Sequence, residues 1–385
     1  MKLLKIVATG LPLFKNSFSI DFLATQRVST ENTEKMSLLS SKTTKCFYLN
    51  NVLSFIGINA SGKTTILKLI SFVCRLLNNE AIQNISCNEI LDGMTDDSEV
   101  VFDIYFHSDD NIYLLHTSIE KNKQKIFIAN ETLKAKPITK VKSKSDIFSF
   151  DNSETVLTRN TNNQFLLDDV SIMVAFNKQH KNIIFTDMLH HTNINQLSIS
   201  KDCPPELIEF FDPNIEYIRV NNKDKDTTIL LKFKDKEQLV LNQFLELNRY
   251  LSSGTIKGIN TFLNAINTFK TGGYLIIDEL ENHFNHEIVS TLIRFYMDKK
   301  VNTNGAVLLF STHYAEILDE FDRNDSIYII RNRNGIMIDN LTSLLKRNDI
   351  KKSEAYESGF LEGTVPLYDA YMQLKNSIIQ VKKES

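Results

Sequence analysis

A strand-like run is followed by a helix-like pattern between residues 52 and 77. The apolar run Val52 to Ile56 precedes a polar loop that contains two glycines. Apolar residues then recur every one to three positions, at 66, 67, 69, 70, 73, 76 and 77. The run predicts a buried strand, and the spacing predicts a helix over 64–77 that buries one face.

Strand-like patterns also occur on both sides of this segment. The predicted strands are residues 3–8, 17–22, 99–106, 112–119 and 125–129. Gly10-Leu11-Pro12 joins the first two as a hairpin or meander, and the last three form a β-meander. The Ser/Thr/Lys-rich residues 26–45 are expected to form a loop.

The pattern changes after residue 129. Residues 130–164 are dominated by Lys, Ser, Thr and Asn, which predicts a mobile excursion rather than a core segment. Helices are predicted over 166–178 and 205–211, and strands over 215–220 and 228–234. From Asn242 onward helix-like and strand-like segments alternate, which is typical of a parallel sheet.

Composition narrows the class of protein. Of the 385 residues 42% are hydrophobic and 24% charged, with a net charge of −3, so the chain can bury a core but has no global attraction for nucleic acid or anionic membranes. Its four cysteines form no C-x-x-C pair, which argues against zinc or a disulfide framework and favours the reducing cytoplasm. No apolar stretch approaches the roughly 20 residues that span a bilayer, so no membrane partner is expected.

The loop Gly57-Ile-Asn-Ala-Ser-Gly-Lys-Thr64 fits the G-x-x-x-x-G-K-[ST] template of a phosphate-binding loop. Its glycines let backbone N–H groups turn inward, and the following helix adds its positive N-terminal end. Lys63 is expected to reach the β and γ phosphates, Thr64 to ligate Mg²⁺ and Thr65 to contact the α phosphate. The predicted nucleotide-binding residues of this loop are Gly57, Asn59, Ser61, Gly62, Lys63, Thr64 and Thr65.

A second apolar strand, Gly273 to Ile277, ends in the acids Asp278 and Glu279. Ligands of open parallel sheets bind beyond the carboxyl ends of the strands, so Asp278 is expected at the Mg²⁺ of the phosphate-binding loop. Glu279 would then act as general base on the attacking water. A capped strand end is the alternative interpretation of these acids when they are taken alone.

Two further motifs carry polar groups. The strand Ala306 to Phe310 ends in Ser-Thr-His313, and His313 is a candidate sensor of the γ phosphate or catalytic water, with a cap or surface residue as the alternative. A helical run is preceded by Ser252, Ser253 and Gly254. These residues form either a second anion site, which would bind the nucleotide of a partner subunit, or a plain N-cap.

The four motifs, in this order, resemble the ATPase head of the ABC superfamily, and more narrowly its RecF-like and OLD-like branch. Three segments are similar to those of stand-alone AAA-type ATPases from bacterial abortive-infection and phage-defence systems. They are Leu-Ser-Ser-Gly-Thr, Glu281-Asn-His-Phe284 and the late segment Gly359-Phe-Leu-Glu-Gly-Thr-Val-Pro366. The chain departs from this pattern at Leu280, where many heads have proline. The chain has no clear glutamine loop, for which Gln179 is a weak candidate.

The resemblance implies an α/β P-loop NTPase fold: an ABC-ATPase-like head with an N-terminal β-meander lobe and an inserted α/β region. The corresponding domains are residues 1–120, 121–214 and 215–385. It also implies a homodimer that sandwiches two ATP molecules with Mg²⁺, each held by 57–65 of one subunit and 252–254 of the other. Asp278 is then assigned to the metal, Glu279 to water activation and His313 to the switch.

Two functions follow from this resemblance. The first is a slow ATPase switch that controls a separate effector protein in antiphage defence. The alternative is a RecF-like DNA-binding ATPase in DNA repair or maintenance of DNA structure. A basic strip of lysines could then follow the phosphates of the DNA backbone. A run of solvated surface charges explains the same lysines. The strip consists of Lys121, Lys123, Lys125, Lys134, Lys136, Lys140, Lys142 and Lys144. A transporter subunit is disfavoured by the long interval between Lys63 and Ser252.

Overall fold

The computed structural model describes residues 1–43, 45–96, 98–123, 125–151, 153–159, 166–190, 196–197, 203–223, 226–282, 284–347, 350–364 and 368–384. The strands are β1 (Lys2–Thr9), β2 (Phe18–Asp21), β3 (Ser37–Leu38), β4 (Tyr48–Leu49), β5 (Val52–Ile56), β6 (Glu99–Ser108), β7 (Asn111–Asn122), β8 (Lys125–Pro137), β9 (Glu154–Thr158), β10 (Phe185–Met188), β11 (Ile215–Lys223), β12 (Asp226–Phe233), β13 (Leu239–Leu241), β14 (Tyr274–Ile277), β15 (Val307–Thr312), β16 (Ile327–Asn332) and β17 (Ile336–Asn340).

The helices of the described residues are α1 (Lys63–Leu77), α2 (Lys144–Phe148), α3 (Met173–Phe176), α4 (Pro205–Phe211), α5 (Ser253–Thr271), α6 (His286–Met297), α7 (Leu341–Leu344), α8 (Lys352–Glu357) and α9 (Tyr368–Glu384). Short 3₁₀ helices cover Glu31–Lys35, Ile82–Asn84, Asn88–Leu91, Ile138–Lys140, Phe244–Arg249 and Ala315–Glu320.

The central sheet has the strand order β10-β14-β15-β5-β16-β17. Its first five strands are parallel, and β17 returns antiparallel to β16. Strand β15 pairs with β14 on one side and with β5 on the other. The loops that follow these three strands therefore leave the same edge of the sheet, where ligands of such sheets bind.

Alternate residues of the central strands point into two separate hydrophobic cores. Leu53, Phe55 and Leu309 belong to the core that contains α1 and the meander strands. Leu308 and Phe310 belong to the core that contains α5 and α6. Because both faces are covered, these strands are predominantly apolar instead of alternating with polar residues.

A second sheet covers the outer side of α1 and has the order β2-β1-β6-β7-β8-β9, with antiparallel neighbours. The ring of Phe72 on α1 packs against that of Phe102 on β6, with centroids 5.8 Å apart. The predicted hairpin and the predicted meander are thus parts of one sheet. Helix α1 lies between the two sheets and is buried along most of its length.

The expectation of a mobile excursion over residues 130–164 is wrong for its described part. Strand β8 continues to Pro137 and pairs with both β7 and β9. Leu133 and Ile147 are completely buried. The polar composition was misleading because one face of β8 packs inward, and part of that inward face is itself polar. Residues 160–164 lie outside the described residues.

Several other elements differ from the sequence-based expectations. The predicted loop over 26–45 contains a 3₁₀ helix and β3, and the predicted helix over 166–178 is α-helical only at Met173–Phe176. Strand β10 lies inside the interval 121–214 yet pairs with β14 of the central sheet. The boundary at residue 120 falls within β7. The three-domain division therefore stays a proposal about organisation along the chain.

Candidate functional site

The phosphate-binding loop requires glycine at two positions. Gly62 has φ +102°, and a Cβ atom there would lie 2.5 Å from the side chain of Ile336. A Cβ atom on Gly57 would lie 2.4 Å from the carbonyl oxygen of Ile330. Since both spaces are closed, the loop adopts its path between β5 and α1 only with glycine at these positions.

Lys63 stands at the first position of α1, and its side chain folds back over the loop. Its Nζ donates to the carbonyl oxygens of Gly57 at 2.9 Å and Ile58 at 3.1 Å, and lies 3.2 Å from Nδ1 of His313. Burial lowers the pKa of Lys63, while the nearby carboxylates, Asp278 first among them, act in the opposite direction. The ammonium group is therefore held beside the mouth of the loop, where a bound phosphate would meet it.

The two predicted metal ligands are in contact. Thr64 Oγ1 donates to Oδ2 of Asp278 at 2.7 Å. The other carboxylate oxygen of Asp278 accepts a hydrogen bond from the Ser311 hydroxyl. A hydroxyl and a carboxylate at this separation are the hard oxygen ligands that Mg²⁺ takes together with substrate phosphates and water. The pair fits a Mg²⁺ ion. In the described part of the chain, no group of three or more His, Cys, Asp or Glu forms a separate metal cluster.

Glu279 turns the chain away from β14 with a positive φ of +49°. Its N–H donates to Oγ of Ser311 at 2.7 Å, which fastens this turn to the end of β15. Its carboxylate Oε1 lies 3.4 Å from Nε2 of His313. The imidazole of His313 therefore stands between the carboxylate of Glu279 and the ammonium group of Lys63.

Glu281 is a site residue to which the sequence analysis gave no role. Its side chain is 6% exposed, and its Oε1 accepts the backbone N–H of His313 at 2.6 Å. Burial raises the pKa of Glu281, and hydrogen bonds, first that from the His313 backbone, oppose this rise. The signal available in the sequence was an acid two positions after Glu279, on the turn that leaves the sheet.

Lys63, Thr64, Glu279 and His313 line a cavity of about 580 Å³. The lining residues are Leu13, Asn59, Ala60, Ser61, Gly62, Lys63, Thr64, Thr65, Glu279, His313, Asn332 and Ile336. Leu13, Asn332 and Ile336 were missed from sequence, since they come from the β1–β2 connection and the β16–β17 hairpin. Ile336 N–H donates to the carbonyl oxygen of Leu13 at 2.9 Å, which joins these two connections into one wall.

The structure does not bring every candidate to this cavity. Ser252 caps α5, and its hydroxyl accepts the N–H of Thr255 at 3.0 Å, but residues 252–254 do not line the cavity. Gln179 does not line it either. His283, Val365 and Pro366, which form part of the resemblance, lie outside the described residues.

Several lysines of the basic strip are bonded to the protein itself. Lys121 donates to the carbonyl oxygen of Met94 at 2.8 Å, and Lys125 pairs with Asp168 at 2.6 Å. Lys136 and Lys144 also donate to backbone carbonyl oxygens. These four ammonium groups are thus partly committed to intramolecular bonds.

Three features together define a P-loop NTPase: a parallel sheet, a phosphate-binding loop at the start of a helix, and a contact between the loop's Thr64 and Asp278 at the end of β14. The predicted fold class is confirmed. The chain belongs to the family described as "AAA domain, putative AbiEii toxin, Type IV TA system", whose model matches residues 52–319. The resemblance to AAA-type ATPases of abortive-infection systems is likewise confirmed.

No curated protein matched the chain in a comparison of sequences. Among the helices of the described residues, none has the length and apolar character needed to cross a lipid bilayer.

Proposed function

We propose that the protein hydrolyses ATP to ADP and phosphate in the cavity beside α1. The observation that carries this proposal is the contact between Thr64 and Asp278, with Glu279 and His313 at the same cavity. The loop N–H groups and Lys63 would bind the phosphates, and Thr64 and Asp278 would hold Mg²⁺. When bound, the metal would neutralise charge on the phosphate oxygens.

Glu279 is proposed as the general base. A water molecule in line with the γ phosphate would lose a proton to the carboxylate of Glu279 as its oxygen bonds to phosphorus. The bond between phosphorus and the ADP oxygen would then break. His313, 3.4 Å from Glu279, is placed to orient this carboxylate or the γ phosphate.

The wall formed by Leu13, Asn332 and Ile336 is proposed to receive the base. Leu13 leaves 46% of its surface exposed and is apolar, which suits the face of a purine. Asn332 offers an amide that can both donate and accept hydrogen bonds to the base edge. The described cavity thus has a charged end for the triphosphate and a partly apolar wall for the base.

We further propose that ATP closes a homodimer, with Ser252, Ser253 and Gly254 of each subunit facing the nucleotide of the other. These residues lie at the N-terminus of α5 and away from the cavity of their own chain, which is consistent with that arrangement. A helix N-terminus with free N–H groups attracts phosphate. ATP held between two subunits binds the closed dimer better than the monomer and so shifts the equilibrium toward it.

The proposed role of this switch is control of a separate effector protein in bacterial antiphage defence, within the cytoplasm. The family description, which names an abortive-infection toxin and a toxin–antitoxin system, supports a defence role. The basic strip gives less support to the RecF-like alternative, because four of its eight lysines are bonded within the protein.

ATPase activity and oligomeric state of the wild type and Glu279→Gln test the proposal. Glutamine keeps the shape of the side chain but cannot accept the proton, so turnover should fall at least ~10²-fold while ATP still binds. Light scattering with ATP and Mg²⁺ should show the variant accumulating as a dimer. Turnover equal to wild type would remove Glu279 from this role.

A further inference from the structure

Besides the contact between the side chains of Glu279 and His313, three hydrogen bonds fasten the turn that carries Glu279 to the end of β15. Two are made to Ser311, whose hydroxyl accepts from Glu279 N–H at 2.7 Å and whose carbonyl accepts from Leu280 N–H at 3.1 Å. The third runs from the N–H of His313 to the carboxylate of Glu281 at 2.6 Å. Of the three, only this bond uses a side chain of the turn.

The Glu281 bond joins the two segments whose relative position matters for turnover. One segment carries the carboxylate of Glu279, and the other carries the imidazole of His313. These two groups are 3.4 Å apart, a separation that the backbone of each segment must maintain. The bonds to Ser311 hold the start of the turn, at Glu279 and Leu280. The bond from Glu281 holds a later position of the turn to the backbone of His313.

We infer that Glu281 is a positioning residue, which holds His313 in register with Glu279 without touching the nucleotide. It does not line the cavity but bonds the backbone of His313, so we expect its effect on turnover to pass chiefly through His313. This inference rests on the proposed ATPase function. The bond also gives Oε1 of Glu281 a partner at a 6% exposed position, where an unpaired carboxylate oxygen is unfavourable.

Two substitutions separate this role from a packing role. Glu281→Gln retains an oxygen that can accept from His313 N–H, and Glu281→Leu fills a similar volume without an acceptor. Glu316→Leu is the matched control, because Glu316 is an exposed acid on the 3₁₀ helix that follows His313. Thermal melts of all three variants establish that each is folded.

Steady-state kinetics then measures turnover and KM, and hydrogen exchange measures the protection of the backbone at His313. With Glu281→Leu we expect kcat to fall about 10- to 100-fold while KM and the Kd for ATP change less than about threefold, since misplacement costs rate more than binding. Glu281→Gln should recover kcat to within about threefold of wild type. The peptide that contains His313 should lose exchange protection in Glu281→Leu and keep it in Glu281→Gln and Glu316→Leu.

Several outcomes would overturn the inference. These are an unchanged kcat in Glu281→Leu, a loss in Glu281→Gln as large as in Glu281→Leu, or a matching loss in Glu316→Leu. A wild type that binds ATP but shows no turnover would instead refute the proposed ATPase. In that case hydrogen exchange still tests the bond, and unchanged protection at His313 in Glu281→Leu would refute the positioning role by itself.

Discussion

The hydroxyl of Thr64 lies 2.7 Å from a carboxylate oxygen of Asp278, although 213 residues separate them in the chain. Thr64 stands in the first turn of α1, and Asp278 follows β14 directly. Strand β15 lies between β14 and β5, and its Ser311 bonds the second oxygen of Asp278. The proposed metal site thus depends on three neighbouring strands.

Lys63→Ala should weaken ATP binding at least about 10- to 100-fold, because a charge-assisted contact to phosphate is lost. Isothermal titration calorimetry with ATP and Mg²⁺ measures this change. Lys68→Ala is the control, since Lys68 lies on the same helix but pairs with Glu89 at 2.8 Å and does not line the cavity. Retention of wild-type affinity by Lys63→Ala would contradict the assignment of the phosphate-binding loop.

Asp278→Asn should remove most of the effect of Mg²⁺ on ATP affinity. A neutral amide has the shape of the carboxylate but is a poorer ligand for a hard cation. The measurement compares the Kd for ATP in Mg²⁺ and in EDTA, and the ratio of the two should approach one in the variant. Asp298→Asn, beyond the end of α6, should keep the wild-type ratio. An equal Mg²⁺ effect in Asp278→Asn and wild type would exclude Asp278 from the metal site.

Ser252→Asp and Ser252→Asn separate helix capping from the proposed dimer contact. Both residues cap helices as well as serine does, so α5 should remain intact in both variants. The aspartate places a negative charge where the partner's phosphates are expected, and like charges repel. In the Glu279→Gln background, we expect ATP to dimerise Ser252→Asn but not Ser252→Asp in light scattering. Dimerisation of both would show that residue 252 does not face the nucleotide.

Leu13→Ala should weaken ATP binding about 3- to 10-fold, because apolar contact with the base is reduced. Binding of inorganic triphosphate should stay unchanged, since that ligand has no base to contact the wall. Leu38→Ala is the matched control, as Leu38 has similar exposure (44% against 46%) and lies on β3. A parallel loss of triphosphate affinity would assign Leu13 to the loop's structure and not to base binding.

Glu131 makes the stability of the meander sheet depend on pH. Burial raises its pKa, while hydrogen bonds, first that from Ser171, oppose the rise. With a folded pKa above the ordinary value, the folded state binds more protons between the two values, so stability falls as pH rises through that window. Relative to Glu131→Gln, the free energy of unfolding of the wild type should therefore decline as pH rises above the ordinary glutamate pKa of 4.5.

Urea unfolding at a series of pH values measures this difference. Glu154→Gln is the control, because Glu154 is exposed on β9. The difference in the free energy of unfolding between Glu154→Gln and the wild type should stay constant over the same pH range. A difference for Glu131→Gln that grows in favour of the wild type as pH rises would reverse the expected sign.

Local sequence patterns correctly predicted several helices and strands whose structure depends mainly on neighbouring residues in the chain. The apolar run 52–56 became β5, and the helical spacing from Thr64 became α1 with nearly the predicted bounds. The helix over 205–211 was also predicted with its observed bounds. Composition failed at 130–137, because the inward face of β8 includes Glu131, whose carboxylate accepts from Ser171 and Thr117. The sequence alone does not distinguish a buried, hydrogen-bonded acid from an acid on the surface.

Local sequence motifs were enough to predict the candidate site: a glycine loop with Lys63 and Thr64, and strand ends that carry Asp278 and His313. These motifs are local, since each needs only its own strand, turn or helix to take shape. The tertiary structure alone decided that Leu13 and Ile336 form a wall beside the loop, and that Glu281 bonds the backbone of His313. Such contacts join segments distant in sequence, and only the pairing order of the strands and the packing of the two sheets around α1 bring them together.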